Sequence, residues 1–108
     1  MPTLHTYDYA VIRVVPRVER EEFVNVGVIV SCPTSKLLHA AIELAPARLH
    51  ALDPTLDIER LRPYLDAIPA ICRGDADAGP IALLPPRARF HWLTARRSSI
   101  IQMSSAHV

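Results

Sequence analysis

The chain has 108 residues, of which 50% are hydrophobic and 21% are charged, a balance that excludes an intrinsically disordered protein. No apolar run approaches the roughly 18 residues that span a bilayer, and no basic region with an apolar stretch opens the sequence. We therefore expect neither a transmembrane segment nor a secretory signal. The only cysteines, Cys32 and Cys72, are far apart, which favours reduced thiols and a cytoplasmic location.

Charge is distributed unevenly along the chain, although the formal net charge is only +1. Residues 1–80 contain eight Lys/Arg and eleven Asp/Glu (8 − 11 = −3), whereas residues 81–108 contain four arginines and no acid. This asymmetry is compatible with an anionic partner near the C-terminal segment. The alternative is that these arginines pair with carboxylates of the same domain.

Three strands are predicted in the first 44 residues, at 7–15, 23–30 and 37–44, because these segments are rich in β-branched and apolar residues between turn signals. Short connections between them favour an antiparallel meander. The second segment has valine at every even position, so we expect one valine face to pack on a helix. Those residues are Val24, Val26, Val28 and Val30.

A helical pattern replaces the strand pattern after Pro46, with a short turn at 47–52 and then a longer helix. Asp53 and Pro54 are typical of a helix start, and Gly74 of a helix end. We expect Pro63 and Pro69 to kink or break this helix. Its apolar face consists of Ile58, Leu61, Leu65, Ile68 and Cys72.

The C-terminal third is predicted as a loop over 74–86, a short helix over 87–97 with a strand as the alternative, and a fourth strand over 98–105. The fold class is therefore α+β, with an antiparallel sheet of about four strands packed on one main helix plus short helical segments. We expect residues 1–108 to form a single domain.

A polar set on the odd positions of the first three strands is a candidate binding face, since Arg, Asn, His and Glu are unusual on a pure core face. Its members are Arg13, Asn25, His39 and Glu43. They would form a ligand pocket or an enzyme site if they adjoin. The alternative is a solvated sheet face. Gly27, within the second strand, indicates a bulge or a close backbone approach.

The C-terminal segment interleaves cations with aromatic residues, which suits contact with phosphates and stacking of bases. The candidate contacts to an anionic partner are Arg87, Arg89, Trp92, Arg96 and Arg97. The alternative, which we prefer, is a helix whose aromatic residues anchor the core or an interface.

Signatures of common cofactors and metals are missing from the sequence. No histidines stand at i, i+4, no CxxC occurs, and no glycine-rich loop joins a strand to a helix. No nucleophile elbow surrounds any serine or cysteine. We therefore predict no metal and no cofactor, and we assign no catalytic residue.

Several blocks of the sequence resemble the bacterial family called domain of unknown function 3037. They are YDYAVIRVVP (7–16), EEFVNVGVI (21–29), RFHWL (89–93), RS (97–98), IQ (101–102) and His107. The resemblance implies a small bacterial domain and no catalytic residues to carry over. It also implies that relatives continue past the equivalent of His107, which leaves open that a C-terminal segment is missing here. The resemblance further implies that the gene for this protein lies beside a gene for a kinase of the persistence-toxin type.

Three functional hypotheses follow from the sequence. The first is a non-enzymatic protein-interaction or accessory module, with a kinase or toxin-like protein as partner. The second is a small-ligand binder or enzyme that uses the polar sheet face. The third is nucleic-acid binding through the C-terminal arginine segment, and homo-oligomerisation is compatible with all three.

Overall fold

The chain folds into four strands: β1 (Asp8–Val14), β2 (Val24–Cys32), β3 (Leu37–Ile42) and β4 (Ile101–Met103). This computed structural model of the protein describes residues 7–16, 22–95, 100–104 and 106–107. The strands form one antiparallel sheet in the order β3-β2-β1-β4. The predicted meander and the predicted fourth strand are both confirmed.

Three α-helices pack against one face of this sheet: α1 (Pro46–Leu52), α2 (Ile58–Arg73) and α3 (Pro86–Thr94). Short 3-10 turns lie at Pro33–Ser35, Ala76–Ala78 and Pro80–Leu83. Alternate residues of the strands meet the apolar stripe of α2, which is why the core forms between the two layers. The core's largest fully buried side chains include Phe90, Ile12, Ile29, Leu49 and Leu65. The α+β class is therefore confirmed.

A β-bulge interrupts the pairing of β1 with β2. Ile12 pairs with Gly27, but the next residue, Arg13, pairs with Asn25. Val26 is therefore an extra residue on β2, opposite no residue of its own on β1. An extra residue inverts the alternation of inward and outward side chains along the rest of the strand.

The bulge explains why half of the predicted valine face is wrong. Val24 and Val26 are 4% and 1% exposed and pack in the core as expected. Beyond the bulge, however, Ile29 takes the core position. Val28 and Val30 alternate with it, and they lie half-buried on the opposite face of the sheet.

Gly27 lies at the bulge, and its missing side chain has a steric reason. A Cβ built on Gly27 would overlap the carbonyl oxygen of Ala41 on β3. The glycine thus combines both predicted roles, a bulge and a close backbone approach.

The start of α2 differs from the prediction. Its N-cap is Asp57, whose carboxylate accepts a hydrogen bond from the backbone N–H of Arg60 at 3.4 Å. Asp53 instead closes the turn between α1 and α2, where its carboxylate accepts from the N–H and the hydroxyl of Thr55. Asp53, which is followed by Pro54, suits a turn as well as a helix start. In the structure it forms the turn, and Asp57 is the N-cap.

The helix α2 runs without a break through Pro63 and Pro69, so of the predicted kink or break, the break does not occur. Each proline removes one backbone donor, at a cost of about 3 kcal/mol in a helix interior. Burial of the stripe from Ile58 to Cys72 offsets that cost. Gly74 ends the helix in the left-handed conformation, with a φ of +76°, as predicted.

Candidate functional site

The four residues of the predicted polar face are spread along the sheet. Arg13 and Asn25 face each other directly across β1 and β2. His39 lies opposite Val30, and Glu43 follows the end of β3. All four belong to the described part of the chain, and no hydrogen bond or ion pair joins any two of them. Arg13 and Asn25 are therefore the pair among these four residues that faces directly across paired strands.

Arg13 has an unusual environment within this set. Its guanidinium carbon lies 4.1 Å from the centre of the exposed Phe23 ring, a cation–π contact. Its Nε atom is buried and has no hydrogen-bond partner among the described residues. Gln102 of β4 pairs with Arg13 on the side opposite Asn25. Arg13 thus presents a half-buried cation with one unused donor.

Asn25 and Glu43 share a second polar feature, a shallow cavity of about 600 Å³ at the end of β2 and β3. Arg48 of α1 also lines this cavity. The cavity is open to solvent. The cavity contains neither Arg13 nor His39, so it unites two of the four predicted residues.

Arg87 forms contacts within the domain. Its guanidinium pairs with the carboxylate of Asp8 and donates to the Ser31 hydroxyl at 3.2 Å. It also lies 5.2 Å from the Phe90 ring centre. These contacts tie the start of α3 to the ends of β1 and β2. Arg87 therefore follows the alternative prediction, in which an arginine of this segment pairs with a carboxylate of the same domain.

Arg89 is buried, with 8% of its surface exposed. Its Nη1 donates to the carbonyl oxygens of Ile71 and Cys72, both at 2.8 Å. Carbonyls in the last turn of a helix lack intrahelical donors, and a cation satisfies them well. Arg89 is therefore a buried side chain that caps the C-terminus of α2. A buried guanidinium that is already hydrogen-bonded is unsuited to the predicted contact with an anionic partner. Arg96 and Arg97 lie outside the described residues.

Trp92, the remaining member of the arginine segment, borders an apolar groove of about 360 Å³ between α2, α3 and β4. Tyr64 of α2 also lines this groove, and the side chains of Trp92 and Tyr64 are 40% and 69% exposed. The other lining residues are almost entirely apolar. They comprise Ala67, Ile68, Ile71, Leu93, Ala95, Ile100, Ile101, Gln102 and Met103.

Sequence reasoning named Trp92 but missed this groove. Tyr64, Ile68 and Ile71 follow helical spacing, so one side of the groove was readable as a stripe on α2. The remaining lining residues come from α3, β4 and the residues beside them, which lie later in the chain. Only the tertiary structure brings these residues together.

The two cysteines are free and buried. Desolvation by burial raises the pKa of the Cys72 thiol to about 11, so this thiol stays protonated at neutral pH. Hydrogen bonds from the Ser35 and Thr34 side chains lower the pKa of Cys32 from its ordinary value. No cluster of three His, Cys, Asp or Glu side chains suited to a metal occurs among the described residues.

These features define a two-layer α+β domain with an apolar groove beside the β4 edge. The chain matches the family described as Protein of unknown function (DUF3037) over residues 9–108, and it belongs to that family. Comparisons with curated proteins and with solved structures give no match. Within the described residues, no helix has the length and apolar character needed to cross a membrane.

Proposed function

We propose that this domain is a non-enzymatic protein-interaction module that holds apolar side chains of a partner protein in the groove between Tyr64 and Trp92. The observation that carries the proposal is that two exposed aromatic residues, from two different helices, line one apolar groove. Tyrosine and tryptophan are enriched at protein interfaces and among the residues that dominate binding energy.

The chemistry of the groove favours a protein over a small metabolite. Its volume lies near the lower end of the range of ligand pockets, roughly 300 to 1,000 Å³. Metabolite sites, however, usually place several polar groups that orient the ligand. Here the only polar side-chain groups in the lining are those of Tyr64, Trp92 and Gln102. An apolar side chain from a partner protein needs no further polar groups around it.

The family resemblance suggests which partner to test first, a bacterial kinase or toxin-like protein. We place the interaction in the cytoplasm, because buried free thiols are typical of proteins from reducing compartments. This choice of partner and compartment is part of the proposal.

Trp92 fluorescence reports on the groove, because Trp92 lines it and is the only tryptophan in the chain. We would titrate the purified kinase-like candidate, with its own tryptophans replaced by phenylalanine, into the domain and follow Trp92 fluorescence. Entry of apolar side chains should shift the emission to shorter wavelength and reduce quenching by acrylamide. Binding elsewhere on the domain would leave both signals unchanged.

A variant series locates the binding site by calorimetry. Tyr64→Ala and Trp92→Ala should each weaken binding by about tenfold or more, as expected for central interface aromatics. Leu83→Ala is the matched control, because Leu83 is 70% exposed and lies outside the groove. If the groove variants and the control bind alike, or if candidate partners leave Trp92 unaffected, the proposal is wrong.

A second candidate function, small-anion binding, is favoured by the unused Nε donor of Arg13. Titration with inorganic phosphate, followed by NMR of the backbone N–H groups of Phe23 and Asn25 beside Arg13, tests it. A saturable shift that Arg13→Lys removes supports an anion site. Signals that stay constant, or that change equally in Arg13→Lys, dispose of it.

A further inference from the structure

Among the residues that the structure describes, strand β3 forms one edge of the sheet and has β2 as its only neighbour there. The backbone N–H of Glu43 donates to the carbonyl of Val26 at 2.7 Å, which sets the phase of the ladder. In an antiparallel pair, alternate residues bond to the same neighbour. The N–H and C=O groups of Leu38, Ala40 and Ile42 therefore point away from β2. Within the described chain, no hydrogen bond reaches them.

This edge lacks the features that usually prevent strand pairing. Natural edges are protected by lysine, proline, bulges or very short strands. β3 contains no proline, lysine, arginine, aspartate or glutamate. Its register with β2 runs without a shift from Leu37 to Ile42. Leu37, His39 and Ala41 are exposed beside the free backbone groups.

Charge at the two ends of β3 indicates what covers the edge. Lys36 precedes the strand and Glu43 follows it, and both are exposed. An antiparallel second copy places Lys36 of each chain near the end of β3 at which the other chain has Glu43, one position away from direct opposition. A parallel copy would align like charges instead, which is destabilising. The strand is therefore complementary to itself in the antiparallel orientation.

We propose that β3 pairs with β3 of a second copy in antiparallel orientation and joins the two sheets into one continuous sheet. Residues opposite each other in such a pair must lie on the same face. A register centred on Ala40 satisfies this and places Leu38 beside Ile42 of the second copy. It also avoids a direct His39–His39 contact. Each outward amide and carbonyl then gains a partner, in an interface with two-fold symmetry. The proposal is independent of the groove.

Hydrogen exchange read by NMR tests the pairing directly. Raising the protein concentration should slow exchange of the Leu38, Ala40 and Ile42 amides, while the amides of His39 and Ala41, which bond to β2, change little. Sedimentation velocity over the same concentrations should show conversion to twice the monomer mass. A wild-type protein that stays monomeric up to about 1 mM overturns the proposal.

Two sets of variants identify the occupant of the edge. Ala41→Lys adds a lysine at an exposed position of β3 and should abolish the dimer, whereas Leu83→Lys adds the same charge away from β3 and should not. Circular dichroism confirms that each variant is folded. A dimer that survives Ala41→Lys overturns the proposal.

Charge reversal tests the antiparallel orientation. Lys36→Glu and Glu43→Lys alone should each weaken dimerisation severalfold, because like charges then lie near each other at both ends of the pair. The double variant should restore it. A double variant as weak as the singles overturns the antiparallel assignment. If the three amides become protected only when a different protein is added, the second copy is the wrong occupant.

Discussion

The two edges of the sheet differ in how their backbone groups are used. At one edge, β4 is only three residues long, and the chain beyond it remains bonded to β1. The Ser104 N–H donates to the Val11 carbonyl, and the Ser104 hydroxyl accepts from the Val11 N–H. Tyr9 and His107 exchange two backbone hydrogen bonds of 2.8 Å.

The other edge, β3, presents six residues in unbroken register, and no hydrogen bond from the described part of the chain reaches their outward backbone groups. A short and irregular edge offers little template for another strand, whereas a flat, uncharged edge offers a good one. The contrast shows that one small sheet can be closed on one side by its own chain and remain open to association on the other. Three predictions test how firmly each edge is held.

The largest loss of stability is expected at Gly27, where β2 pairs with β3. Gly27→Ala would force the new Cβ against the Ala41 carbonyl, a backbone atom that can move only with the strand. We expect the free energy of unfolding to fall by about 3 kcal/mol in urea titrations. Gly79→Ala is the control, since no atom lies within 4 Å of its added Cβ and only its φ of +101° is costly. Equal losses for the two variants would show that the close approach is unimportant.

A smaller loss of stability is expected when Cys72 ionises, because this residue lies on α2, the helix that packs mainly on β3. Burial raises the pKa of Cys72 to about 11, above its ordinary value of 9.0, so the folded state favours the neutral thiol. This contribution is complete below about pH 9 and is lost as pH rises toward the folded-state pKa, by up to about 2 kcal/mol. Urea unfolding between about pH 8 and pH 11 measures it.

Cys72→Val should reduce the loss of stability over this pH interval while preserving the apolar packing. The comparison isolates the thiol, because tyrosine and lysine titrate equally in both proteins. If the two proteins lose stability in parallel as pH rises, the thiol is not the source.

The smallest effect is expected at the β4 edge. Ser104→Ala removes the acceptor for the Val11 N–H, a hydrogen bond of 2.8 Å at a buried residue. We expect a loss of about 1 kcal/mol and faster exchange of the Val11 amide. Ser35→Ala, which removes an exposed hydroxyl bonded at 3.4 Å, should change stability by less than about 0.5 kcal/mol. A Val11 amide that stays protected in Ser104→Ala would show that other bonds hold this edge.

Much of the fold was predictable because it depends on local patterns. Strand alternation, the apolar stripe of α2 and the left-handed end at Gly74 are all set by neighbouring residues. The errors have non-local causes. The bulge moved Val28 and Val30 to the other face of the sheet, and core burial kept α2 continuous through its prolines.

The candidate sites were less predictable, since a site depends on which distant residues meet. The sequence could name Arg89 as a cation but not as an internal cap, because the carbonyls it binds lie 17 and 18 residues away. The groove has the same origin, with Tyr64 and Trp92 on different helices and further lining residues from β4.

The sequence by itself determined the α+β class, the identity of nearly every element and the antiparallel meander, because residue type and periodicity act over a few neighbours. It also supplied the uncharged β3 segment and the opposite charges at its ends. Only the tertiary structure decided that β3 lies at an edge, that Arg87 and Arg89 are used internally, and that a groove opens beside β4. Those outcomes depend on long-range packing, where burial and hydrogen bonding between distant residues outweigh local preference.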